Sequence, residues 1–195
     1  MITFPAERPA GLQRRSIRAD RDLWRIDRSE PATWTWAGFA TPRYRFDPTS
    51  GAFRTRYAST RRHGAARERY AGTGQVIPAA HADDHLVHLR TTRSLLVLDL
   101  RGERTQDLLG VDDQINTSRS ADHFAACQDL ADAAPRWWDD LDGILYRSRT
   151  TAQDSTNLAF WSLDGFDVDA TRLGDASEFL ADLVLHRRFT VDFAF

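Results

Sequence analysis

Between residues 43 and 60 the chain reads RYRFDPTSGAFRTRYAST, which sets Arg43, Arg45, Arg54 and Arg56 among Tyr44, Phe46, Phe53 and Tyr57, with Asp47 as the only carboxylate. Guanidinium groups beside aromatic rings suit a ligand that carries both phosphate and a flat base. Arginine grips paired anionic oxygens with two parallel hydrogen bonds, and a ring stacks on a base. All 26 basic residues are arginine and none is lysine, so arginine as a type is a weak signal and each position is judged separately. Three further groups have chemistry to offer: Glu68 between Arg67 and Arg69, Ser148 in LYRSR, and His81, His85 and His88 with two aspartates in HADDHLVH. Each has a plainer reading. Glu68 is by default a solvated surface charge; Ser148 lacks a GxSxG elbow and an evident base; the histidines fall in a loop and a strand, and no metal is expected there.

The elements that must position these residues follow from local pattern. LWRID (23–27) reads as a short strand, PATWTWAGFATP as a loop bounded by prolines, and FRTRYAS (53–59) as an alternating strand. That strand runs into a helix, RRHGAARERYAG, with Ser59 or Thr60 as its cap and Gly72 as its end. On the helix Ala65 and Glu68 are three apart and share a face. A strand leading into a capped helix is a common way to present a side chain at a cleft. Strands are expected at 85–90, 94–100, 144–149, 157–161 and 189–195, and helices at TQDLLG, 120–134 with Ser120 as cap, and 175–186. Residues 1–20 read as a polar, arginine-rich arm or helix, and residues 21–195 as one domain. Helices clustered between strand runs predict an α+β domain rather than a βαβ repeat.

At 195 residues the chain is long enough for one domain with a substantial core. Its 42% hydrophobic and 28% charged content excludes disorder throughout. Cys127 is the single cysteine, which rules out an internal disulfide and zinc sites built on paired cysteines and suits a reducing compartment. No stretch has the length of apolar sequence that a membrane span needs, and the first residues lack a signal-like apolar run, so the expectation is a cytoplasmic protein. Net charge is −2, divided unevenly: residues 1–70 carry 15 Arg against 7 acids, and residues 71–195 carry 11 Arg against 21. The basic part is therefore expected to meet an anion, whether a ligand or the chain's own acidic part. Walker-type and dinucleotide fingerprints are absent.

The order of the short motifs is more informative than any one of them. WRI, RYRFDP, FRTRYAST, AARERY, LVLDL, DGILYRSR and NLAFW follow one another over residues 22–165, and this succession resembles the RES domain family, whose members include NAD-degrading toxins of bacterial toxin–antitoxin pairs. By the resemblance, the functional arginine is Arg45 in YRFDP, the tyrosine Tyr57 in YAS, the glutamate Glu68 in AARERY and the serine Ser148 in YRSR, with Arg25 in WRI a further ligand residue. Tyr44 stands where the family has glycine. The resemblance implies a single α+β domain with mixed and antiparallel sheets and flanking helices, related to ADP-ribosyltransferases, with NAD as substrate in a central cleft, phosphate or water as acceptor of ADP-ribose, and no metal. It assigns Glu68, Arg45 and Ser148 to catalysis, and Arg25, Arg45, Tyr57 and Ser148 to NAD. It also implies an antitoxin partner with a helix-turn-helix part. Three other readings stand beside it: transfer of ADP-ribose to a protein, an inactive RES-like domain kept for partner binding, and a nucleic-acid-binding module in which Trp24, Trp34, Trp36 and Tyr44 stack on bases.

Overall fold

The computed structural model describes residues 2–150 and 155–195. Ten strands and five α-helices are found among them. Eight strands form one sheet in the order β1-β6-β7-β8-β3-β2-β5-β9, and β10 pairs with β4 in a separate two-stranded ribbon. The large sheet holds β1 (Arg15–Ile17), β2 (Asp22–Asp27), β3 (Arg56–Ser59), β5 (His85–Thr91), β6 (Leu95–Asp99), β7 (Gly143–Arg147), β8 (Thr156–Phe160) and β9 (Phe166–Arg172). The ribbon joins β4 (Val76–Ile77) to β10 (Thr190–Val191). Every pairing in the sheet is antiparallel except β6 with β7. A parallel pair needs a long crossover, supplied here by α2 (Glu103–Leu109), α3 (Gln114–Thr117) and α4 (Ala121–Trp137). This is the expected α+β architecture.

Strand alternation divides the core. One face of the sheet carries Leu98, Leu100, Ile144, Tyr146 and Ala159 against the α4 side chains Ala126, Leu130 and Ala134. Further along that face, Ile26 and Leu86 pack with Ala66 and Tyr70 of α1 (Arg62–Tyr70) and Leu180 and Leu183 of α5 (Ser177–Arg187). The opposite face packs Leu23, Ala58, Val87, Leu145, Leu158 and Phe160 with Trp34. Two helical groups thus cover one face at separate places, and the row Tyr146, Asn157, Ser59 and Trp24, in register across β7, β8, β3 and β2, crosses that face.

Several boundaries differ from the sequence reading. β3 begins at Arg56 rather than Phe53, because Phe53 is spent on an isolated bridge with Ala37 and the Thr55 hydroxyl donates to Phe46 O. α1 is not capped by Ser59 or Thr60: Arg61 occupies the cap without a side-chain bond, Ser59 Oγ pairs with Ser155 Oγ at 2.6 Å, and Thr60 Oγ1 accepts from Thr156 N. The Ser120 cap of α4 forms as expected, accepting from His123 N. The closing strand shrinks to Thr190–Val191, the length of its partner β4. β1, β4, β9 and α3 were not foreseen, and β1 lies within the polar segment 1–20 and pairs with β6.

Candidate active site

The face left open between the two helical groups holds a cavity of about 540 Å³, within the usual range for small-molecule sites. β2, β3, β7 and β8 contribute Trp24, Tyr57, Ser59, Tyr146 and Asn157; α1 contributes Ala65 and Glu68; the segment before β3 contributes Tyr44 and Arg45; the turn after β7 contributes Arg149. Ala65 and Glu68 both reach the cavity, as their spacing on one helical face predicts.

Glu68 is the most closely held group. Its Oε1 accepts from Ser148 Oγ at 2.7 Å, Thr150 Oγ1 at 2.9 Å and Asn157 Nδ2 at 3.0 Å. No hydrogen bond among the described residues falls on Oε2. Nor does Glu68 pair with the arginines beside it: Arg69 binds Asp84 at 3.0 Å and Arg67 reaches Thr150 O. The carboxylate is thus fixed through one oxygen while the side chain as a whole stays exposed on the cavity wall. Ser148 is buried and absent from the wall; its hydroxyl serves Glu68 from behind, and its backbone N–H holds Ser155 O.

Arg45 is buried, and its guanidinium is engaged within the chain. Nη1 donates to Ile115 O at 2.8 Å and, at 3.5 Å, to Cys127 Sγ; Nη2 donates to Ser118 O; the group lies over the Phe124 ring at 4.9 Å. Burial pushes the Cys127 thiol up to about 11, against the opposing pull of Arg45. Tyr57 turns its hydroxyl to Phe46 N, from which it accepts at 2.9 Å, and burial followed by the charge of Asp47 raises its pKa. Its ring stands edge-on to Tyr44 and Tyr146. Strand alternation sends the Arg25 side chain toward Leu23 and Trp34, where Nε donates to Asp27 at 2.6 Å and Nη1 to Tyr57 O at 3.0 Å. Glu68, Arg45 and Tyr57 therefore meet at one cavity, with Ser148 directly behind Glu68, whereas Arg25, though it borders the cavity, has its guanidinium on the opposite face of the sheet with Asp27 and Trp34.

Three wall residues escaped the sequence reading. Arg149 ends the YRSR motif, lines the cavity and, among the described residues, has no hydrogen bond or ion pair. Its pKa is lowered by partial burial and then by Arg119 and Arg45, with Glu68 opposing, so an anion placed there would relieve repulsion among cations. Tyr146, whose hydroxyl is kept protonated by burial and then by the charge of Glu68, belongs to the same motif, and Asn157 faces it from β8. The motif around Arg149 was the available signal; nothing local distinguishes Asn157.

The other constellations resolve into separate contacts. His81, His85 and His88 face Asp84, Glu30 and Asp22 respectively, and no group of three or more His, Cys, Asp or Glu side chains among the described residues is placed to hold a metal. Trp24 stacks on His88, Trp34 lies under Arg56, and Trp36 packs on Phe160, so three of the four rings wanted as base-stacking platforms already have partners, while Tyr44 stays exposed. No helix is long and apolar enough to cross a membrane among the described residues.

The sequence model of the RES domain matches residues 22–182. A chain in the crystal structure of the M. tuberculosis MbcT–MbcA toxin–antitoxin complex superposes with a TM-score of 0.56 at 16% identity, over 85% of this chain and 92% of that one. No curated protein matches the chain.

Proposed function

The chain belongs to the RES domain family, and from that premise we propose that it is a toxin-type enzyme that consumes NAD, breaking the bond between nicotinamide and ribose. The observation that carries the reading is the carboxylate of Glu68, fixed through Oε1 by three donors at the wall of a cavity of about 540 Å³. When the glycosidic bond breaks, its electron pair leaves with the pyridinium nitrogen, which becomes neutral, and positive charge builds at the anomeric carbon. A carboxylate that accepts from ribose hydroxyls and faces that charge binds the transition state more tightly than the ground state. Oε2 is the oxygen left for this work. Ser148 and Thr150 are positioning residues that keep it aimed, so little reorganisation is needed as charge develops.

Arg149, without an ion pair among the described residues, offers its guanidinium to the dinucleotide phosphates, while Arg45 shapes that end of the cavity through the 115–118 backbone. Tyr57 and Tyr44 supply rings at the wall. Attack on the anomeric carbon by a phosphate oxygen gives ADP-ribose-1''-phosphate; attack by water gives ADP-ribose and a proton. Transfer to a protein side chain is the alternative acceptor reaction. An antitoxin protein that fills the cavity belongs to the same proposal, by analogy with the toxin–antitoxin complex whose fold the chain shares.

The test is the fate of NAD mixed with purified protein, with and without phosphate, followed by nicotinamide release and chromatography of the ribosyl product. Nicotinamide release supports the proposal, and a phosphorylated product formed only with phosphate identifies the acceptor. A folded protein that neither binds nor consumes NAD overturns it.

A further inference from the structure

Asn157 is 2% exposed, in the middle of the sheet on β8, in register with Tyr146 on one side and Ser59 on the other, and it lines the cavity. Its amide is half used. Nδ2 donates to Glu68 Oε1 at 3.0 Å, whereas Oδ1 is buried with no hydrogen-bond partner. Leaving a buried carbonyl oxygen unpaired is costly, and native structures keep few such atoms. Rotating the amide gives no escape. It would turn Oδ1 against the carboxylate oxygen that already takes the Ser148 and Thr150 hydroxyls, setting acceptor against acceptor. Glu68 therefore fixes the direction of Oδ1, and although the Tyr146 hydroxyl stands beside the amide across the sheet, it makes no hydrogen bond to Oδ1, which is left open to a ligand donor.

We infer that Asn157 is a specificity-determining residue whose Oδ1 accepts a hydrogen bond from the carboxamide N–H of nicotinamide, so that the site takes NAD and rejects its nicotinic acid counterpart. The inference rests on the proposed NAD reaction. In that reaction Glu68 takes the ribose hydroxyls, and the neighbouring acceptor on the same wall meets the base attached to that ribose. The carboxamide carries the only hydrogen-bond donors of the nicotinamide base. Replacing the carboxamide by a carboxylate removes both donors and sets a negative charge against Oδ1 and Glu68. A site built to accept from a substrate N–H discriminates strongly against an analogue lacking it, because its own buried polar atom is then left unpaired.

The experiment compares NAD with nicotinic acid adenine dinucleotide on the wild type, Asn157→Ala and Asn157→Ser. Release of nicotinamide or nicotinic acid gives kcat/KM, and the rise in melting temperature with each dinucleotide reports binding independently of turnover. The wild type is expected to prefer NAD by at least about a hundredfold, and both variants to narrow that preference by roughly tenfold, chiefly through KM for NAD. A purely structural Asn157 would lower both substrates alike and leave the ratio unchanged, which overturns the inference. So does a wild type that takes the two dinucleotides equally, a result that stands even if neither variant folds. If the wild type instead ignores both dinucleotides, the proposed reaction fails and this inference with it; a wild type that consumes NAD without preferring it sinks the inference alone.

Discussion

At the scale of single residues the decisive contrast is between a carboxylate that is merely near arginines and one that is aimed. Glu68 sits between Arg67 and Arg69 in sequence yet takes its hydrogen bonds from Ser148, Thr150 and Asn157. Glu68→Gln keeps the size of the side chain and removes its charge. NAD is expected to bind with little change while nicotinamide release falls about a hundredfold or more, the usual cost of losing one electrostatic stabiliser of the transition state; unchanged turnover in a folded variant ends the assignment. Arg45→Ala should act differently, because its guanidinium holds the carbonyls of Ile115 and Ser118. Unpairing such groups costs about 1–3 kcal/mol each, so the denaturation midpoint should fall together with NAD affinity. Arg43→Ala should shift neither, since the contact recorded for Arg43 is made by its backbone N–H to Asp47. Arg43 proving the more damaging would mean that the motif register is off by two. Motif order made Glu68, Arg45, Tyr57 and Ser148 legible in the sequence. The same order said nothing of Asn157, because an asparagine at the start of a strand looks like any other until its neighbours across the sheet are known.

At the scale of elements, the site depends on how closely α1 lies on the sheet. Gly64, one turn before Glu68, is buried where a Cβ would come closer than 3.0 Å to both Ser59 Oγ and Ser155 Oγ. Those hydroxyls are hydrogen-bonded to each other across β3 and the start of β8, and they have little room to give way. Gly64→Ala should therefore lift α1 and carry Glu68 away from Ser148, lowering melting temperature and nicotinamide release together; a variant as stable and as fast as wild type would show that the helix is free to shift without consequence. Local pattern found α1, α4, α5 and the central strands because their apolar periodicity is set by burial on both helix and sheet. It missed β9, whose FDVDATR is mostly exposed at the sheet edge, and β1, a three-residue strand made by pairing with β6 rather than by its own composition. The failed cap at Ser59 and Thr60 has a similar cause: both hydroxyls are claimed by β8 and its approach, long-range partners that no local rule includes.

At the scale of the whole molecule, the uneven charge is partly met inside the fold, since Arg14, Arg15 and Arg69 of the basic part bind Asp140, Asp99 and Asp84 of the acidic part. The exposed Arg14–Asp140 pair adds little stability, and the more consequential carboxylates are the enclosed ones. Burial alone would raise Asp27, yet Arg25, the Ser29 backbone N–H and Arg56 outweigh it and hold the group below its ordinary 3.8. Asp99 is lowered in the same way, with Arg101 as the main opposing partner to burial and Arg15 adding to it. His63 goes below its ordinary 6.5 through burial and then the charges of Arg187, Arg67 and Arg61. The signs differ in origin but point one way. For a depressed carboxylate the unfolded chain binds the proton first, so stability present above 3.8 is lost as pH falls through the folded value. For His63 the unfolded chain also binds the proton first, so stability present above 6.5 declines as pH drops below it. Urea midpoints measured against pH should thus fall in two stages, a shallow one below about 6.5 and a steeper one below about 3.8. His63→Gln should remove the first stage and leave the second, while Asp27→Asn should lower the midpoint at neutral pH and flatten the second. A single stage in the wild type, or a first stage that survives His63→Gln, would place the titrating group elsewhere than the α1 histidine beside those arginines.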